Sequence, residues 1–124
     1  RYMEGRLEKY LNRYFVQVCM EYMNLMNKAG RLPIQISKTG TWVGKNGTID
    51  IIAQNSVREN IIGLCNWSEE EMTYESYQKL EDLLKEAHIH AGHYFFFSGK
   101  AFEPDLVQMA RSDKRFTLID MTDL

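Results

Sequence analysis

The chain lacks an excess of either charge, a long apolar run and a framework of cysteines. Its 124 residues carry 15 Lys and Arg against 17 Asp and Glu, for a formal net charge of −2, so its bulk charge does not favour nucleic acid. The longest apolar runs, such as Tyr94–Phe97, fall far short of the roughly 20 residues that a membrane span needs, and no charged-then-apolar leader opens the sequence. We therefore expect a soluble, cytoplasmic protein with no membrane partner.

Cysteine is scarce, and its placement excludes a disulfide scaffold. Cys19 and Cys65 stand far apart in two apolar stretches, which favours buried free thiols over a disulfide framework or a metal site. A chain of this length with 44% hydrophobic residues supports one core, so we assign residues 1–124 to a single domain. The first residue is Arg1 rather than Met, which indicates a piece cut from a longer chain.

Proline is also scarce, and the proline-free segment 2–28 predicts a long first helix. Apolar residues recur there every three or four positions, the spacing of one helical face. Gly30 and Pro33 favour an end near Ala29. We expect this helix to pack on a sheet through four side chains, those of Leu11, Phe15, Val18 and Tyr22.

Two further helices are predicted in the second half of the chain. One follows Thr73, with an acidic approach at residues 69–71 that suits the helix dipole. The other opens at Glu103–Asp105, with proline in its first turn.

The remaining apolar runs predict strands, and Asn46–Gly47 predicts a type I′ hairpin turn that brings Trp42 opposite Ile49. The runs Ile34–Ile36, Gly40–Val43, Thr48–Ala53 and Asn60–Trp67 predict three or four strands, and His93–Ser98 and Phe116–Asp120 predict two more. The run at Asn60–Trp67 is apolar on both alternations, which favours a central position in the sheet. Together these patterns predict an α/β domain, a mixed sheet flanked by helices with βαβ crossovers in its second half.

This order of elements, with an aspartate on the second arm of the hairpin, resembles the restriction-endonuclease-like fold of the PD-(D/E)xK family. In finer detail the chain is similar to the C-terminal domain of archaeal-type AAA ATPases, a domain of uncharacterised function. The resemblance is carried by Gly5–Leu11, by Phe15, Cys19, Glu21 and Tyr22, and by Gly40–Lys45, Ile49–Ala53, Ile62–Trp67, Tyr94–Gly99 and Leu118–Asp120. It implies that the ATPase domain of the parent chain is a partner, and that ATP and Mg²⁺ bind only in that missing N-terminal part.

The catalytic positions that the resemblance implies are mostly lost. Nucleases of this fold need two carboxylates to hold a divalent cation and a lysine to activate water, and a glutamate of the first helix often joins them. Asp50 matches the aspartate. By the pattern of similar domains, the glutamate and lysine of the next strand fall on Leu64 and Asn66, and the helix glutamate falls on Val16.

The sequence thus predicts a degenerate site with no catalytic residue, no metal ligand set and no cofactor. We expect Asp50 to satisfy backbone donors or to pair with a nearby lysine, and its side chain to lie on the same side of the sheet as Leu64 and Asn66. The expected function is that of a catalytically inactive, nuclease-like accessory domain of an AAA-type ATPase. It would act through contacts with the ATPase domain, an unknown protein partner or nucleic acid.

Two alternatives to this interpretation stay open. A residual or rewired Mg²⁺-dependent DNA nuclease would need Glu59 or one of residues 69–71 to reach Asp50. A nucleic-acid binder without cleavage would use the basic group of the first helix, Arg1, Arg6, Lys9 and Arg13, although the acidic residues between them favour a salt-paired surface.

A zinc site is a third, weaker hypothesis, based on His88, His90 and His93. Because this stretch crosses from a helix end into a strand, the three rings need not converge, and solvent-exposed histidines are the expected arrangement.

Overall fold

The structure is a computed structural model that describes residues 2–68 and 70–122, with the side chains of residues 10–68 and 70–122. The side chains of Arg1, Arg6 and Lys9 in the predicted basic group, and the carboxyl of Glu69, lie outside this description. The elements are α1 (Tyr2–Lys28), β1 (Lys38–Gly44), β2 (Gly47–Gln54), β3 (Asn60–Asn66), α2 (Tyr74–Ala87), β4 (His93–Ser98), α3 (Pro104–Ser112) and β5 (Phe116–Asp120). The predicted α/β class, a mixed sheet with flanking helices, is confirmed.

The five strands lie side by side in chain order, from β1 at one edge to β5 at the other. β1, β2 and β3 form an antiparallel meander. β3, β4 and β5 are parallel, with α2 and α3 as the crossovers between them. β3 is therefore the central strand, and its burial on both faces explains why it is apolar on both alternations.

The first hairpin forms as predicted, but its turn does not. Trp42 pairs with Ile49, as expected. The residues between the two strands are Lys45 and Asn46, and neither is among the described residues with positive φ, so the predicted type I′ turn at Asn46–Gly47 is wrong. The glycine instead serves as the first residue of β2, where its φ of 153° is one that other residues rarely adopt.

Of the four runs that predicted three or four strands, Ile34–Ile36 is the one that forms none, because its backbone groups form hydrogen bonds with a side chain of α1. The Ile36 N–H donates to Asn27 Oδ1 (2.9 Å), and Asn27 Nδ2 donates to the Ile36 carbonyl (3.0 Å). Strand pairing begins only at Lys38, opposite Gln54. The segment is therefore a loop that is attached to the end of α1.

The sheet separates two apolar clusters. The α1-side cluster consists of Phe15, Cys19, Met23, Ile36, Ile51, Ala53, Ile61, Cys65, Phe95 and Phe97. The α2-side cluster consists of Ile49, Ile62, Met72, Leu80, Leu83, Leu84, Ala91, Tyr94, Phe96, Leu106 and Phe116. No helix in the described ranges has the length and apolar character to cross a bilayer.

α1 packs along a line of side chains slightly different from the predicted one. Phe15 is fully buried as expected, and Cys19 and Met23 continue its line at intervals of four residues. Leu11, Val18 and Tyr22, three of the four predicted contacts, are only partly buried, although Tyr22 packs against the α1-side cluster. The helix therefore faces the sheet through Phe15, Cys19 and Met23.

Candidate functional site: the gap between β2 and β3

β2 and β3 pair over only part of their length. The ladder runs from Gln54 to Ile51 on β2 and ends with Ile51 opposite Gly63. Beyond that point β3 continues beside β4, where Leu64, Cys65 and Asn66 keep their partners. The residues at the predicted catalytic positions of β2 and β3 therefore lie where the two strands part.

A β-bulge in β2 coincides with this point. Two residues of β2, Asp50 and Ile51, oppose the single residue Thr41 of β1. Ile49 consequently belongs to the α2-side cluster and Ile51 to the α1-side cluster, although residues two apart in a regular strand share a face. Because of the bulge, the regular alternation of side chains along β2 does not determine the face of the sheet on which the Asp50 side chain lies.

The carboxyl of Asp50 bridges the gap between the strands. Its Oδ2 accepts a hydrogen bond from the backbone N–H of Cys65 at 2.9 Å. The backbone carbonyl of Asp50 accepts a hydrogen bond from the hydroxyl of Thr41 at 2.9 Å. Burial raises the pKa of this carboxyl to about 6, and the Cys65 N–H opposes part of that rise. The side chain thus acts as a hydrogen-bond partner for β3 where the β2 ladder has ended.

Of the other three predicted positions, only Leu64 and Asn66 are brought together. Leu64 packs against the α2-side cluster, whereas Val16 packs against the α1-side cluster on the opposite face of the sheet. Asn66 Nδ2 donates to the carbonyl of Glu70 at 3.2 Å. Leu64 and Asn66, two residues apart on β3, are on one face of that strand, and Val16 is remote from both.

A small cavity of about 190 Å³ opens on the α2 side of the gap. Leu64 and Thr48 line it from the sheet, and Ser76 and Lys79 line it from α2. Lys79 supplies the ammonium group among these lining residues. Sequence reasoning missed Lys79, because nothing in the helical pattern of α2 indicates that it lines a cavity together with Leu64.

The two cysteines meet on the α1 side of the gap. Both are buried and free, which confirms the expectation for the thiols. Hydrogen bonding to Cys19 and burial raise the pKa of the Cys65 thiol, and the charge of Asp50 adds to this effect. Cys65 therefore carries a protonated thiol at neutral pH, and it connects α1 to the central strand.

The three histidines do not form a cluster with other ligands. His88 caps α2 in a left-handed conformation, His90 is exposed and His93 is partly buried at the start of β4. Among the side chains of residues 10–68 and 70–122, no group of three or more His, Cys, Asp or Glu is arranged to hold a metal ion.

Comparison with protein families gives one match. The model of the DUF234 family, described as archaeal and bacterial proteins of unknown function, matches residues 1–80. The chain belongs to the DUF234 family. The part matched by DUF234 runs from α1 into α2, and it contains Asp50, Leu64 and Asn66. No curated protein and no solved structure matches this DUF234 chain.

Proposed function

We propose that this DUF234 domain is a catalytically inactive, restriction-endonuclease-like accessory domain of an AAA-type ATPase. In this role it contacts the ATPase domain of the parent chain, a protein partner or nucleic acid. The observation that carries the proposal is the hydrogen bond that the Asp50 carboxyl accepts from the backbone N–H of Cys65. The residues on either side of Cys65 are the apolar Leu64 and the neutral Asn66.

The chemistry of Mg²⁺ supports the absence of catalysis. This ion loses water reluctantly and is held in enzymes by one or two carboxylates together with substrate phosphates. Asp50 is desolvated, as its raised pKa reflects, and its carboxyl already accepts the Cys65 N–H. Leu64 has no ligand atom, and the amide of Asn66 donates to Glu70.

A role in contacts is supported by the outer face of α1. Tyr10 and Tyr14, one turn apart, are 69% and 59% exposed, and Leu25 further along the helix is 63% exposed. Large apolar side chains grouped on one face are typical of protein interaction surfaces.

Restoring the lost groups tests the proposal. Leu64→Glu combined with Asn66→Lys adds a carboxylate and an ammonium next to Asp50, and we expect Mn²⁺ binding by calorimetry where the wild type shows none. The matched control is the same double substitution with Asp50→Asn, which should bind no Mn²⁺ because one of the two carboxylates is gone.

Two results would contradict the inactive-domain proposal. One is that the wild type binds Mn²⁺ and cleaves DNA, and the other is that the double variant folds but binds no Mn²⁺. Because the two new charges cost several kcal/mol if they stay unpaired, urea denaturation should first show that the variant folds. If it does not fold, the wild-type cleavage assay tests the proposal alone.

The contact role is tested by capture experiments with the full-length parent chain. We expect a bound partner whose recovery falls when Tyr14 is replaced by Ser, with Gln78→Ser, an exposed position on α2, as the control. Repeating the capture after nuclease treatment separates a protein contact from a nucleic-acid bridge. Equal recovery with both variants would exclude the outer face of α1 as the contact surface.

A further inference from the structure

A second and larger cavity lies away from the gap, at the C-terminal end of α2. It has a volume of about 430 Å³, and its charged and polar lining comes from Glu81, Lys85, His88, His90, Tyr94 and Arg115. This volume is in the range of pockets that bind small organic ligands. We call it the α2-end cleft.

Basic side chains form the rim of the α2-end cleft. Lys85, His88 and His90 are exposed, and the Arg115 side chain is 49% exposed. The Arg115 guanidinium is positioned by two sets of contacts: Nη2 donates to Asp113 Oδ2 at 2.8 Å, and its carbon lies 5.7 Å from the centre of the Tyr94 ring. The rim thus presents a preorganised cation beside two imidazoles and an ammonium.

The floor of the cleft has the opposite character. Glu81 accepts a hydrogen bond from the Tyr94 hydroxyl at 2.5 Å. Burial, reinforced by this carboxylate, raises the pKa of Tyr94, so the hydroxyl remains a donor. The Tyr94 ring stacks on Phe116 at 4.4 Å with the planes nearly parallel. A carboxylate is therefore fixed at the base of the cleft by a rigid aromatic support.

The separation of charges limits what can bind there. An inorganic anion would occupy a small part of 430 Å³ and would meet the Glu81 carboxylate if it went to the floor. A neutral ligand would make no use of Lys85 and Arg115. The cleft suits a molecule with an anionic group at one end and hydrogen-bond donors, such as hydroxyl or amino groups, at the other.

We propose that the α2-end cleft binds a small phosphomonoester that carries hydroxyl or amino groups, the chemistry of a nucleoside monophosphate, with its phosphate at Lys85 and Arg115 and a hydroxyl or amino group on Glu81. Arginine and lysine are the usual partners of phosphate groups. The same chemistry is offered by a free nucleotide and by the terminal nucleotide of a nucleic-acid strand. The cleft is separate from the β2–β3 gap, so this proposal does not depend on the inactive-nuclease proposal.

Calorimetry on the 124-residue chain tests the cleft, with adenosine 5′-monophosphate, adenosine and inorganic phosphate as probes. We expect the nucleotide to bind more tightly than either fragment. Lys85→Gln should weaken its binding roughly tenfold, the size expected for the loss of one charge-assisted hydrogen bond. His90→Gln, at another exposed position on the rim, should also weaken nucleotide binding.

The matched control is Lys100→Gln, which removes the same charge from an exposed position just after β4 that does not line the cleft. It should leave nucleotide binding unchanged. A loss equal to that of Lys85→Gln would overturn the proposal, because it would indicate general attraction to positive charge. Equal binding of adenosine and the nucleotide, or no binding of the nucleotide at millimolar concentration, would also overturn it.

Single-stranded oligonucleotides with and without a 5′-phosphate distinguish the two sources. Tighter binding of the phosphorylated strand than of the free nucleotide, with the same dependence on Lys85, identifies a strand end as the ligand. Binding of the free nucleotide alone identifies a small-molecule site.

Discussion

Burial raises the pKa of the Asp50 carboxyl to about 6. An unfolded aspartate titrates near pH 4, so the native state holds more protons between these two values. The free energy of unfolding must therefore fall as the pH rises through this window, by about 2–3 kcal/mol for a shift of about two pH units. The stabilisation by the protonated Asp50 carboxyl is fully present below the pKa of an unfolded aspartate. It is lost as the pH rises through the native pKa of about 6.

Asp50→Asn removes this titration and keeps an oxygen that can accept the Cys65 N–H. We expect the wild type to lose stability relative to Asp50→Asn between pH 4.5 and pH 7.5, as measured by urea denaturation at several pH values. Asp82→Asn, an exposed carboxyl on α2, is the control and should follow the wild type. Parallel curves for the wild type and Asp50→Asn would show that the carboxyl does not titrate in this window.

At the scale of elements, the end of α1 and the loop that follows it depend on one side chain. Asn27 satisfies both backbone groups of Ile36, whose own side chain is buried in the α1-side cluster. Without this amide, a partly buried N–H and a carbonyl lose their partners, at a cost of roughly 1–3 kcal/mol.

Asn27→Ala should therefore lower the free energy of unfolding by about that amount and speed hydrogen exchange at the Ile36 amide. Asn24→Ala, an exposed position on the same helix, should change neither quantity by as much. Slow exchange at Ile36 in the Asn27→Ala variant would indicate that the loop is held by its apolar contacts instead.

At the scale of the molecule, α1 is joined to the sheet by side-chain packing, and its two buried thiols report on that junction. Cys19 belongs to α1 and Cys65 to β3, and both are buried. We expect labelling by a thiol reagent to be slow in native buffer and to follow the same urea dependence as global unfolding.

Rapid labelling of Cys19 and Cys65 in native buffer would show that α1 separates from the sheet without global unfolding. The Cys19→Ser variant controls for the assignment, since the remaining signal then belongs to Cys65. The raised pKa of the Cys65 thiol slows its reaction even where the reagent can reach it, because only the thiolate reacts. Repeating the labelling at higher pH therefore separates the ionisation of the thiol from its accessibility to the reagent.

The amino-acid sequence alone determined most of the elements of this domain. The period of α1, the two amphipathic helices of the second half and the runs at β2 to β5 are local patterns, and all were found where predicted. Local periodicity is sufficient there because each pattern matches the burial of its own element. The central position of β3 followed in the same way from its apolar residues on both faces.

Only the tertiary structure decided what happens where two elements meet. Ile34–Ile36 has a strand-like composition, but the backbone groups of Ile36 form hydrogen bonds with the Asn27 side chain instead of with a neighbouring strand. The bulge at Asp50, the meeting of Cys19 with Cys65 and the placement of Lys79 beside the cavity that Leu64 lines also have no local signature. Each depends on which segments become neighbours after folding, and contacts between distant residues are set by the packing of the whole chain rather than by the residues next to them in sequence.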